Sequence, residues 1–139
     1  MADTEIEKST EHPLMPSSLA PWLSVRGSKR AVDFYKSALT AVETHRLEDS
    51  DGGVVSKLAI NGAEFWVSEE SPDSPSPQSL GGGSVRLILT VTNPDTVFAQ
   101  ALQAGGSPVF PVSEEHGWRV GRLVDPFGHH WEIGCPISS

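Results

Sequence analysis

The sequence contains little that could staple, anchor or strongly charge a fold. Its 139 residues include one cysteine, Cys135, so no intrachain disulfide can form. The setting of that residue, Trp-Glu-Ile-Gly-Cys135, is apolar, which predicts a small buried hydrophobe. A reactive thiol needs an activating neighbour that this stretch does not supply. No apolar run approaches the length of a membrane span. The N-terminus lacks the basic-then-apolar order of an export signal, so the expected compartment is the cytoplasm. Cations are also scarce: 10 Lys and Arg stand against 18 Asp and Glu, a formal net charge of −8. With no basic cluster to override that balance, neither nucleic acid nor an anionic membrane is an expected partner. The triple glycine at 81–83 lacks the Lys-Ser/Thr of a phosphate loop, and no Ser/His/Asp nucleophile elbow is present.

What the chain does have is enough apolar content, 37%, for a modest core in one folded unit. Residues 1–17 are polar, charged and aperiodic, and read as a flexible N-terminal arm that includes His12. Residues 18–137 read as a single domain. Leu19-Ala-Pro-Trp-Leu-Ser-Val25 is a short apolar strand. Ser28 is placed to cap a helix whose Ala31, Phe34, Tyr35, Ala38 and Leu39 share one face. Strands are expected near 42–48, 54–60 and 63–69, separated by the hairpin signals Asp51-Gly-Gly and Asn61-Gly. Residues 70–83, rich in Ser, Pro and Gly, read as a linker. The order then repeats: a strand at 85–91, a helix opened by Asn93-Pro94 and closed by Gly105-Gly106, and strands near 107–112, 118–124 and 130–135. The expected fold class is therefore α+β, with modules of strand–helix–three strands at about 19–69 and 84–136.

Alternation divides each strand into two faces. Pro21, Leu23 and Val25 oppose Ala20, Trp22 and Ser24. Phe65 and Val67 oppose Glu64, Trp66 and Ser68. Leu87 and Leu89 oppose Arg86, Ile88 and Thr90, and Trp131 and Ile133 oppose His130 and Glu132. The first face of each pair suits packing under a helix. The second mixes tryptophan with charge, which a merely solvated sheet face would not do, and so points to a concave surface holding a small molecule. Half-exposed strands with no ligand are the plainer reading of the same pattern.

Two stretches carry a family resemblance. One is Leu19-Ala-Pro-Trp-Leu-Ser-Val25 followed by a helix ending in Phe34-Tyr35. The other runs from Gly117 to Ile133, through Asp125-Pro126-Phe127-Gly128. Together they resemble the opening strand and helix and the closing hairpin of the vicinal oxygen chelate superfamily, which includes glyoxalase I, bleomycin-resistance proteins and extradiol dioxygenases. The form is similar to the metal-poor branch described as glyoxalase-like or PhnB-like. The resemblance implies tandem βαβββ modules with curved mixed sheets forming a cup, helices on the convex side, and a homodimer that sometimes exchanges modules between chains.

It also implies where a metal would be held: one ligand on the first and one on the fourth strand of each module. Those positions carry Ala20, then Glu64 or Trp66, then Arg86, then Glu132. Alanine and arginine do not ligate, so no metal and no other cofactor is expected. Arg86 is expected to face Glu132 in the space a metal would fill. Candidate ligand-binding residues are Trp22, Ser24, Glu64, Trp66, Arg86, Ile88, Trp118, Arg122, His130 and Glu132. His129 and His130, adjacent on a strand, point to opposite faces and are not a metal pair. Glu114-Glu115 reads as a solvated pair. The leading expectation is a metal-free binding protein for a small organic molecule, serving sequestration or resistance. The alternatives are a metal-dependent glyoxalase-like lyase or isomerase, with Glu64 and Glu132 as an acid/base pair, and an interaction module without a small ligand.

Overall fold

The computed structural model describes residues 14–137; most of the N-terminal arm, including His12, lies outside the described residues. Within them the order is β1 (Trp22–Val25), α1 (Ser28–Leu39), β2 (Val42–Glu48), β3 (Val54–Ile60), β4 (Ala63–Glu69), α2 (Pro77–Leu80), β5 (Arg86–Thr90), α3 (Pro94–Ala104), β6 (Ser107–Glu115), β7 (Trp118–Val124) and β8 (His130–Pro136). Residues 14–20 are exposed and form no regular element. Two four-stranded mixed sheets result, ordered β1-β4-β3-β2 and β5-β8-β7-β6. In each, the first strand runs parallel to the fourth, because a helix returns the chain between them. The fold is α+β with tandem βαβββ modules, as the element order implied.

Local chemistry explains most boundaries. Asn61 and Gly62 both take positive φ, 48° and 92°, which is what the tight β3–β4 hairpin demands. The Asn93 side chain accepts from the Thr96 N–H at 3.4 Å and opens α3, with Pro94 in its first turn. The start of α1 differs from expectation. Ser28 is its first helical residue, and the Ser28 hydroxyl instead accepts from the Val54 N–H at 3.0 Å. The cap comes from β4: the Glu69 carboxylate accepts from the N–H groups of Gly27 (3.0 Å) and Ser28 (2.8 Å). Burial alone would raise the Glu69 pKa, but these backbone donors outweigh it and hold the pKa low. A cap contributed from 41 residues downstream of Ser28 leaves no local signal.

The apolar faces form one core shared by the modules. Leu23, Val25, Phe65 and Val67 of the first meet Leu89, Trp131 and Ile133 of the second, with both helices contributing. Phe65 packs edge-on against Trp131 at 5.5 Å between ring centroids, and Tyr35 lies 5.7 Å from the same indole. The two helices also touch, the Gln100 amide donating to Ser37 O and Thr40 Oγ1.

At the centre of this core sits Asp125, 3% exposed. Its Oδ2 accepts from the Tyr35 hydroxyl and, at 2.9 Å, from Trp131 Nε1. Its Oδ1 accepts from the backbone N–H groups of Phe127 (2.9 Å) and His129 (3.0 Å). Burial, then the Asp125 charge, pushes the Tyr35 pKa far up, so its hydroxyl stays a donor. One carboxylate thus ties α1 of the first module to the turn and last strand of the second. His129 adds a second tie, its Nε2 lying 2.9 Å from Ser24 O.

Residues 70–83 are more ordered than a free linker. Glu70 accepts from the Ser79 and Ser76 hydroxyls, at 2.6 and 2.8 Å, and from the Ser76 N–H at 2.9 Å. The Arg26 guanidinium pairs with its other oxygen at 3.0 Å. This set, the Ser79 hydroxyl foremost, lowers the Glu70 pKa to about 2. The depressed value means that Glu70 stabilises this segment above the ordinary carboxylate pKa and ceases to do so as pH falls toward 2. Amide exchange at 76–82 is therefore expected to accelerate as pH drops from about 4.5 to about 2. The check is exchange at each pH corrected for intrinsic rates. Glu70→Gln should be fast throughout.

Candidate functional site

The polar-aromatic faces lie opposite the shared core, and pairing register fixes which residues stand side by side. On the first sheet Trp22 pairs with Trp66, and Lys57 follows Trp66 on the next strand. The two indoles stack at 5.3 Å with 14° between planes, a geometry worth about 0.5–1.5 kcal/mol beyond area burial. Trp22 Nε1 donates to Ser68 Oγ at 2.8 Å, which fixes the outer ring although it is 54% exposed. The Lys57 ammonium lies 5.3 Å from the Trp66 ring and 3.3 Å from a Glu64 oxygen. Glu64 is therefore ion-paired on its own sheet.

On the second sheet Arg86 pairs with His130, and Ile88 with Glu132, which also faces Arg122. Arg86 Nε lies 2.6 Å from Glu132 Oε2, the juxtaposition anticipated for these two residues. With Arg86 half exposed, such a pair contributes about 0.2–1 kcal/mol. Arg122 Nε donates to His130 Nδ1 at 3.2 Å. Beside this charged row a hollow of about 450 Å³ opens, lined by Ile88, Phe110, Trp118, Val120, Glu132 and Gly134, with Glu115 and His116 at one end. Gly134 keeps its floor low: a Cβ there would lie 2.7 Å from Arg119 O and 2.8 Å from Val120 Cβ.

The ten candidate residues are not gathered in one place. Ile88, Trp118 and Glu132 line the hollow just described, with Arg86, Arg122 and His130 beside it on the same face. Trp22, Ser24 and His130 border a smaller recess of about 190 Å³ closed by the α2 segment. Glu64 and Ile88 line a cleft of about 530 Å³ between residues 19–21, just before β1, and β5, whose walls include Phe65, Leu89 and Trp131 of the core. Trp66 is held by its stack and lines none of the three. Phe110, Val120 and Gly134 were missed because their strands carry no charge or tryptophan at those positions, and a bulge in β6 shifts Phe110 out of simple alternation. Cys135 is half-buried rather than fully buried. Glu114 and Glu115 end β6 rather than lying in a loop, Glu114 being 3.7 Å from Arg119.

Register shows which of the positions implied by the resemblance correspond between the two modules. Trp22 and Ile88 each lie six residues before their module's helix, so Trp66, paired with Trp22, corresponds to Glu132, paired with Ile88. The four positions are then Ala20, which lies just before β1 rather than on the first strand as expected, Trp66, Arg86 and Glu132. Three cannot ligate, and the fourth is paired with Arg86. Among the described residues no three His, Cys, Asp or Glu side chains are grouped to hold an ion. The donor set does not fit a divalent metal.

Two βαβββ modules, each with its first strand beside its fourth, sharing a helix-side core and presenting polar-aromatic outer faces, define the vicinal oxygen chelate class of fold. Within that class the match can be narrowed. Residues 22–134 match the model of the glyoxalase-like domain, and the chain belongs to that family. An uncharacterized protein of Mycobacterium bovis is 39% identical over 127 residues, 86% of this chain and 84% of the relative. The crystal structure of an Arabidopsis thaliana gene product is 31% identical, with a TM-score of 0.65 over 87% of this chain and 98% of that one. TnmS3, an antibiotic-binding protein from Streptomyces, shares the fold at 20% identity and a TM-score of 0.67, covering 89% of this chain and 99% of its own.

Proposed function

We propose that this protein binds a small, largely apolar organic molecule without a metal and acts by sequestering it. The observation that carries this reading is the hollow of about 450 Å³ on the β5–β8–β7 face. Its apolar walls, Ile88, Phe110, Trp118 and Val120, and its few polar groups have the size and make-up of a small-molecule site. Antibiotic binding by a protein of the same fold, TnmS3, supports sequestration as the use. Catalysis through a metal is disfavoured by the donor set, and a Glu64–Glu132 acid/base pair by the separate partners that hold each carboxylate.

The test is a tryptophan-fluorescence titration and thermal-shift screen against planar aromatic antibiotics, in wild type and Trp118→Ala. A saturable, EDTA-insensitive signal that weakens on the order of ten-fold or more in Trp118→Ala is the expected result. No response to any member of the panel would count for an interaction module instead.

The reading includes a homodimer. The 530 Å³ cleft is the larger of the two, but it lies between residues 19–21, just before the edge strand β1, and the edge strand β5. Leu19 in its lining is 98% exposed, and Val85, just before β5, is 75% exposed. A second copy would cover these side chains and pair the edges. Sedimentation is expected to give twice the 14.9 kDa chain mass, and a monomer at all concentrations would refute it.

A further inference from the structure

Charge on the β5–β8–β7 face runs against that of the whole chain. The protein carries −8, yet this face sets two guanidiniums, Arg86 and Arg122, against a single carboxylate, Glu132. Glu132 is committed to Arg86 at 2.6 Å. Arg122 has no carboxylate within ion-pair distance among the described residues; its Nε instead donates to a ring nitrogen, His130 Nδ1. With Nδ1 accepting, the ring proton of His130 sits on Nε2, so the imidazole offers a further donor. The remaining ionisable groups at this hollow, Glu115 and His116, stand at its other end beside Trp118. A half-buried arginine without an anionic partner, next to an apolar hollow, is a preformed receptor for a planar oxyanion.

We propose that the bound molecule is an aromatic or polycyclic acid: its carboxylate is received by Arg122, while its apolar body lies against Ile88, Phe110 and Trp118. This rests on the binding function proposed above and names its ligand class. Glu132 has a defined part: by holding Arg86 it leaves Arg122 as the group that selects. The arginine fork donates to both oxygens of a carboxylate but finds one acceptor oxygen on an amide and cannot accept from its NH2, so acid and amide of the same ring system are discriminated by this contact.

The experiment titrates the full chain with 2-naphthoate and with 2-naphthamide, following tryptophan fluorescence, in wild type, Arg122→Gln and Arg122→Lys. Thermal melts check that each variant is folded. The acid is expected to bind wild type about ten-fold or more tighter than the amide, the usual worth of a charge-assisted bond. Arg122→Gln should bring acid affinity down to that of the amide and so erase the preference, and Arg122→Lys should restore part of it. Equal binding of acid and amide to wild type would overturn the assignment of Arg122 and leave the binding function standing. An equal loss for both ligands in Arg122→Gln would do the same. Binding of neither compound would overturn the ligand class, while the antibiotic panel decides the binding function separately.

Discussion

Asp125→Ala is expected to destabilise the fold by about 3–5 kcal/mol, read from urea unfolding followed by circular dichroism. The size follows from what the alanine would strand. Four donors converge on this carboxylate: the Tyr35 hydroxyl, the Trp131 indole N–H and the backbone N–H groups of Phe127 and His129. Tyr35 is fully buried and Trp131 is 4% exposed, so water cannot replace the lost acceptor. Each stranded group costs about 1–3 kcal/mol, reduced by whatever relaxation the site allows. Tyr35→Phe removes one donor and leaves the carboxylate three, so it should cost less, about 1.5–3 kcal/mol. Asp125→Asn should fall between, because its amide nitrogen turns a donor toward other donors. An Asp125→Ala protein within about 1 kcal/mol of wild type would mean that this carboxylate does not join the modules.

The second large effect concerns metal. Wild-type protein exposed to excess Zn²⁺ or Mn²⁺ and then desalted is expected to retain far less than one equivalent by mass-spectrometric metal analysis. Arg86→His alone should change little, because Ala20 and Trp66 still contribute no ligand atom. Combining Ala20→His, just before β1, with Trp66→Glu and Arg86→His and the native Glu132 supplies four donors at the corresponding positions, and this variant is expected to hold about one equivalent. Stoichiometric, tightly held metal in wild type would overturn the metal-free reading. Failure of the quadruple donor set to bind would show that the corresponding positions do not converge.

The architecture and the apolar faces were legible in the sequence because they rest on local signals. The strands at 42–48, 54–60, 63–69 and 118–124 coincide with β2, β3, β4 and β7, since period-two alternation and hairpin turns such as Asn61-Gly62 fix both register and boundary. The pairing of Arg86 with Glu132 was legible too, because a parallel β5–β8 pair and alternation leave those side chains on one face. Asp125 is visible in the sequence as part of the closing hairpin, and its Oδ1 does serve the turn there. Its second oxygen reaches Tyr35, ninety residues away, a partnership no local pattern encodes.

The same distinction runs through the site. By itself the sequence determined tandem modules, the residues on each outer face, and positions where a metal ligand is missing, because periodicity and residue type act over a few residues. Only the tertiary structure decided that Glu69 caps α1, that Glu70 orders the segment between modules, and that Phe110, Val120 and Gly134 complete a hollow beside Arg122. Those depend on which distant segments share a neighbourhood, and that is set by closure of the common core, a property of the whole chain rather than of any stretch within it.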